Sequence, residues 1–268
     1  MTNETGTGIL AVQDIRAMAA CGGIQAARPF DADQIQPASL DLRLGAVAYR
    51  VRASFLPGPD LSVAAKVRAL TLHEISLEAG AVLETGCVYV VPLMESLALP
   101  ADVSASANPK SSTGRLDVFT RVICDQARAF DTIPAGYHGP LWLEISPRTF
   151  PVKVRAGSRL SQIRFRRGDT RLGDAALSEL HAREGIVAGP AVIGDGLTLS
   201  IDLEGTAPLA GGVGNLVGWR AKRHTGVIDV DQKAAHEVLD FWEPIVRRGE
   251  ARSLILDPDE FYILVSRE

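Results

Sequence analysis

The chain has 268 residues, a formal net charge of −4, 46% hydrophobic and 22% charged residues. Such a composition supports one large or two modest soluble domains and lacks the overall basic excess that draws a protein to nucleic acid or an anionic membrane. Three scattered cysteines (Cys21, Cys87, Cys124) make no disulfide framework, no apolar run reaches the roughly 18 residues of a membrane span, and the start MTNETGTG carries no secretory leader, so the expected setting is the cytoplasm.

Residues 11–21 place Ile15, Met18 and Ala19 on one helical face and stop at Gly22-Gly23, a helix-ending signal. Between 35 and 168, frequent Gly and Pro cut the chain into short alternating or apolar pieces at 40–44, 87–91, 141–145 and 152–154. Short strands separated by turn signals predict a mainly β, antiparallel sandwich or barrel rather than βαβ units. A helix follows over 174–184, with Asp174 as N-cap and Leu177 and Leu180 together. A third is predicted over 231–243, with Asp231 as cap, Ala235, Val238, Leu239 and Trp242 in one stripe, and Pro244 as terminator.

The second half reads as a degenerate repeat of the first. LSIDLEG (199–205) echoes SLDLRLG (39–45), and FYILV ending in Glu268 echoes VYVVP ending in Glu95 at the same internal spacing. The expected organisation is a catalytic domain over 1–170 and an incomplete second copy over 171–268. That copy is expected either to continue several tens of residues beyond Glu268 or to complete its sheet on the first domain or on a neighbouring chain, because unpaired strand edges are a liability.

The chemistry concentrates in PKSSTGR (109–115): two serine hydroxyls, Lys110, Arg115 and a turn at Gly114. Hydroxyl donors, a guanidinium fork and backbone N–H groups freed by a glycine turn suit a phosphate chain. Glu144 is the candidate general acid–base. In a strand it shares a face with Trp142 while Leu141, Leu143 and Ile145 point the other way, so the carboxylate is expected against an indole and partly desolvated. No HxE…PCxxC pattern is present, so zinc-based deamination is not expected, and no metal site is assigned.

Four segments in order, IQPASLDLRLG (35–45), PKSSTGR, GYHGPLWLEI (136–145) and GSRLSQI (157–163), resemble the motifs of the dUTPase superfamily, most closely its dCTP deaminase branch, over about residues 9–168. The openings ILAVQDIRAMAACGGI and PFDADQIQPASLDLRLG resemble that branch as well. The resemblance implies a dUTPase-like distorted jelly-roll or β-barrel with a few short helices. It implies zinc-independent hydrolysis of dCTP to dUTP and ammonia, with Mg²⁺ carried on the triphosphate, and a homotrimer with sites between subunits. It makes Glu144 the proton shuttle, with Ser111 and Arg115 holding water and substrate beside it. Lys110, Ser112 and Gly114 would face the phosphates, Lys110 replacing a more usual arginine; Tyr137 would pack on the deoxyribose, and Gln162 would contact substrate.

Two departures keep other readings open. An aspartate three residues before the aromatic, which activates water in dUTPases, is Pro134 here, and Asp125 or Asp131 is positioned in the longer 122–134 stretch to replace it. No counterpart of the family's C-terminal Tyr, Lys and Gln lid follows Arg167. A dUTP or dCTP pyrophosphatase, or a non-catalytic nucleotide-binding regulator, therefore stands beside the deaminase reading.

Overall fold

A computed structural model describes residues 6–205, 207–208, 215–247 and 253–268. It divides into two compact units, one of Met1–Thr170 with Gly226–Ala235, the other of Arg171–Thr225 with His236–Glu268.

Two antiparallel sheets make up most of the first unit, beside a three-stranded one in which Val152–Val154 lies between Ala81–Leu83 and Ile228–Asp229. One runs in the order Thr132–Ile133, Val103–Pro109, Arg159–Arg167, Ser39–Arg43, Ile35–Gln36, with Gly8–Ile9 added to Arg159–Arg167. The other runs Val118–Cys124, His138–Pro147, Val88–Ala98, Val47–Val51, Thr71–Ser76, with Ile24–Ala26 added to Val88–Ala98. The fold is mainly β, as the turn-punctuated sequence predicts, but the sheets remain open rather than closing into a barrel.

Leu40, Leu42, Leu44, Val90, Leu143, Ile145, Ile163 and Phe165 form the core and are sealed from solvent. The Ser39–Arg43 strand is buried on both faces, so its polar residues need partners. Arg43 has them: Nε bonds Glu95 Oε1 at 2.8 Å, its Nη atoms donate to the Pro29 and Arg28 carbonyls, and its backbone N–H donates to Glu95 Oε2 at 2.8 Å. Gln34 Nε2 completes the network on Glu95 Oε1. A buried pair satisfied this fully is costly to break from one side.

The predicted first helix forms over Val12–Ala20, burying Ile15 and Met18, and ends where Gly22 takes φ +81° and the Gly23 N–H returns to the Met18 carbonyl at 2.8 Å. The Val63–Leu70 helix lies outside the sequence expectations; Ser62 Oγ caps it by accepting the Ala65 N–H. Asp174–Glu184 is helical, but its cap is Gly173. The Asp174 carboxylate instead accepts the Asp195 and Gly196 N–H groups.

The 231–243 helix is the main correction. Only Val238–Phe241 is helical, and Trp242–Val246 is a strand. Asp231 is unavailable as a cap because Arg155 and Ser158 Oγ hold its carboxylate, and Ala234 sits at φ +54°. Residues 226–235 belong to the first unit: Ile228–Asp229 runs parallel to Val152–Val154, and Asp229 takes a two-pronged bond from Arg155 at 2.7 and 2.6 Å.

The second unit carries one four-stranded sheet, with Asn215–Ala221 flanked by Trp242–Val246 on one edge and by Tyr262–Leu264 and Ala207–Pro208 on the other. Its pairing follows that of the first unit. There, Thr71–Ser76 directly follows a helix and pairs Val47–Val51 through Val51↔Thr71, and the far edge takes Val88–Ala98 through Tyr49↔Val90. Here, Trp242–Val246 directly follows a helix and pairs through Ala221↔Trp242, and the far edge takes Tyr262–Leu264 through Trp219↔Ile263. The 199–205 echo forms no strand; it meets the 265–268 segment through the bridge Ile201↔Ser266, with the Asp202 N–H donating to the Val265 carbonyl at 2.8 Å and the Arg267 N–H to the Ser200 carbonyl at 3.0 Å.

Candidate active site

His138–Pro147 is the central strand of the site. The register sets Glu144 opposite Arg121 of Val118–Cys124 on one side and Val90 on the other, and the side chain is 2% exposed. Glu144 Oε1 accepts two bonds from Arg121, from Nε at 3.0 Å and from Nη2. Glu144 Oε2 is buried without a hydrogen-bond partner, and Trp142 lies two residues earlier on the same face. A buried, unsatisfied carboxylate oxygen is expensive to leave unfilled, and it marks a place for a polar ligand. The expected Trp142–Glu144 face is present, and Trp142 lies 6.2 Å from the Tyr49 ring.

Arg121 was not singled out from sequence, because only the strand register brings it to Glu144. Its guanidinium lies 3.7 Å from the Phe130 ring centroid and 4.9 Å from that of Phe119, and Nη2 also donates to Ser54 Oγ at 2.7 Å.

Asp125 and Asp131, the residues expected to replace the missing aspartate, each accept a backbone N–H. Asp125 Oδ1 accepts the Val63 N–H at 2.7 Å at the start of the Val63–Leu70 helix. Asp131, at φ +58°, accepts the Val122 N–H at 2.7 Å and returns its own N–H to the Val122 carbonyl at 2.9 Å. Burial raises the Asp131 pKa, the neighbouring Glu144 adds to the rise, and the Val122 N–H and Arg121 oppose it. Pro134 is exposed.

Tyr137 is buried, its hydroxyl donating to the Pro140 carbonyl at 2.8 Å and accepting the Asp125 N–H at 3.1 Å; burial pushes its pKa up. Its ring lines a largely apolar cavity of about 340 Å³ with Cys124, Ala127, Thr132 and Pro134. The same desolvation lifts the Cys124 thiol to about 11, leaving it protonated and inert at neutral pH.

PKSSTGR forms a single helical turn, Ser111–Gly114, rather than a glycine-turn cradle, and Gly114 is not at positive φ. Ser111, Ser112, Gly114 and Arg115 are exposed, while Thr113 is buried beneath them. The Lys110 ammonium is ion-paired with buried Asp41, and Arg159 is held by Asp31 at 2.5 Å and Asp33 at 2.9 Å. Gln162 Oε1 accepts the Ser39 hydroxyl at 3.0 Å, and its strand pairs it with Asp41 and Asn108. Lys110, Gln162 and Ser39 thus gather around one end of the first sheet. Glu144, Arg121 and Trp142 gather on the second, which is tied to the first by Thr120 and Ser161 hydroxyls 2.9 Å apart. Within the chain the Glu144 carboxylate is met by Arg121, not by the exposed Ser111 or Arg115. Among the described residues, no three His, Cys, Asp or Glu side chains gather as a metal-binding set.

Comparison with known proteins accounts for nearly the whole chain. Residues 6–169 match the model of the 2′-deoxycytidine 5′-triphosphate deaminase N-terminal domain, and 173–268 match that of its C-terminal domain. A crystal structure of 2′-deoxycytidine 5′-triphosphate deaminase from Agrobacterium tumefaciens is 63% identical with a TM-score of 0.91, covering 97% of this chain and 76% of that one. The "dCTP deaminase, dUMP-forming" of Acidothermus cellulolyticus is 32% identical over 58% of this chain and 78% of its own length. The "dCTP deaminase" of Haloarcula marismortui is 32% identical over 49% and 66%, respectively.

Proposed function

The chain belongs to the 2′-deoxycytidine 5′-triphosphate deaminase family, and on that premise we propose that it hydrolyses dCTP to dUTP and ammonia with Glu144 as the proton carrier. The observation that carries the residue assignment is the buried Glu144 Oε2 that no hydrogen bond occupies, on the strand face it shares with Trp142. Water adds through its oxygen to C4 of the cytosine while Oε2 takes one of its protons and passes it to N3. A second proton then moves from the new C4 hydroxyl through the same carboxyl to the 4-amino group. The C4–N bond breaks, ammonia leaves, and the C4 carbonyl forms. One carboxyl ends the cycle as it began.

The exposed Ser111 and Arg115 support a homotrimer in which one subunit's 111–115 turn serves the carboxylate of its neighbour. In that arrangement Lys110, Ser112, Gly114 and Gln162 face the triphosphate, which brings Mg²⁺ with it as part of the substrate, and no zinc takes part. Tyr137 and the cavity beside it receive the sugar and base edge. We assign the reaction to the cytoplasm; among the described residues no helix is long and apolar enough to cross a membrane. The second unit's matching strand order supports a partial second copy of the fold, without counterparts of PKSSTGR or Glu144.

The relatives differ in name, the Acidothermus cellulolyticus protein being called dUMP-forming and that of Haloarcula marismortui simply dCTP deaminase. Pro134 at the aspartate position favours dUTP as the end product, and Asp125 and Asp131 each already hold a backbone N–H. Incubation with dCTP and Mg²⁺, assaying ammonia and pyrophosphate separately, tests this. Ammonia without pyrophosphate is expected; stoichiometric pyrophosphate would make the chain dUMP-forming, and pyrophosphate without ammonia would make it a pyrophosphatase.

A further inference from the structure

We infer that Arg121 is a positioning residue that selects which oxygen of Glu144 carries the protons. The inference rests on the proton-carrier role proposed for Glu144. An arginine facing a carboxylate ordinarily spreads its fork over both oxygens. Here Nε and Nη2 converge on Oε1 alone, and Oε2 is left buried with nothing bound. The guanidinium is held in this side-on pose from three directions: Phe130 lies against it at 3.7 Å, Phe119 at 4.9 Å, and Ser54 Oγ accepts from Nη2. A planar, stacked cation restricted in this way cannot slide across to Oε2 as a flexible ammonium can.

The division of labour follows from the geometry. Oε1 is satisfied and fixed, so the carboxylate plane cannot rotate. Oε2 is the oxygen with unused acceptor capacity. A water placed against it finds an acceptor for its proton. Asp131, the other carboxyl beside this group, is bound to the Val122 N–H and leaves the arrangement undisturbed.

The test compares R121Q, R121K and R121A with the wild type and with E144Q in steady-state ammonia release. Misplacing a reacting group by about 1 Å can cost about 100-fold, so R121Q is expected to lower kcat about 10- to 100-fold with KM within about twofold. R121K, which keeps the charge without the fork, should recover only part of the loss, and millimolar guanidinium should partly restore R121A. Should R121Q fail to fold, R121K and the guanidinium rescue decide the matter. Wild-type or raised kcat in R121Q, a loss confined to KM, or a folded R121A that guanidinium does not rescue overturns the inference. If E144Q also keeps its turnover, the proton-carrier reading itself has failed; if E144Q is dead and R121Q is not, only the role of Arg121 falls.

Discussion

Lys110 and Asp41 form an ion pair at the end of the first sheet, with a carboxylate that is 2% exposed and an Arg159 Nη1 also within 3.8 Å of the same oxygen. Asp41 thus holds the Lys110 ammonium in place before any phosphate arrives. Lys110→Ala is expected to raise the KM for dCTP about tenfold, the equivalent of about 1.4 kcal/mol, with kcat nearly unchanged, since phosphate contacts are made equally in ground and transition states. Steady-state kinetics decide it; a loss falling on kcat instead would move Lys110 from binding into the chemical step.

Asp131 offers a test of product choice. Asparagine keeps an oxygen for the Val122 N–H and removes a charge that burial disfavours. A carboxyl whose folded pKa is raised makes its charged form a liability above the unfolded pKa, so stability falls as pH rises from that value through the folded one. Asp131→Asn is therefore expected to melt no lower than wild type at pH 7 and to deaminate at a comparable rate. A collapse of turnover in a protein that melts normally would give Asp131 a chemical role.

The Arg155–Asp229 pair sets an acid limit on the 226–235 segment. The Arg155 hydrogen bond, chiefly, holds the Asp229 carboxyl at about 2. Because this folded value lies below the usual 3.8, the pairing is present above that pH and is lost as pH falls through about 2. Exchange of the Ile228 amide, which donates to the Pro151 carbonyl at 3.0 Å, is expected to accelerate over that window. Arg155→Ala should accelerate the same exchange at neutral pH, and unchanged protection in the variant would remove the pair from the docking.

The strands of the first unit were legible because glycines and prolines delimit them and because leucines recur at every second position in 40–44. Glu144 was legible from the same alternation and from its place in an ordered set of motifs. Features decided by register were not. Arg121 is 23 residues from Glu144 in sequence and becomes its neighbour only through the pairing of two strands. The Lys110–Asp41 pair, 69 residues apart, is of the same kind. The 231–243 stripe misled for a different reason. A helical period is present, but Asp231 is drawn to Arg155 and Trp242 pairs with Ala221, so tertiary partners override local propensity. The parallel strand Ile228–Asp229 is too short to leave a sequence pattern.

The account turns on Glu144 as the carrier of protons, and Glu144→Gln tests it most directly. The amide keeps the volume and can still pair through its oxygen with Arg121, but it cannot accept and return a proton. Ammonia release from dCTP, measured beside dCTP affinity by calorimetry, is expected to show kcat reduced about 100-fold or more with affinity within about twofold of wild type. A Glu144→Gln protein that releases ammonia at the wild-type rate would contradict the mechanism.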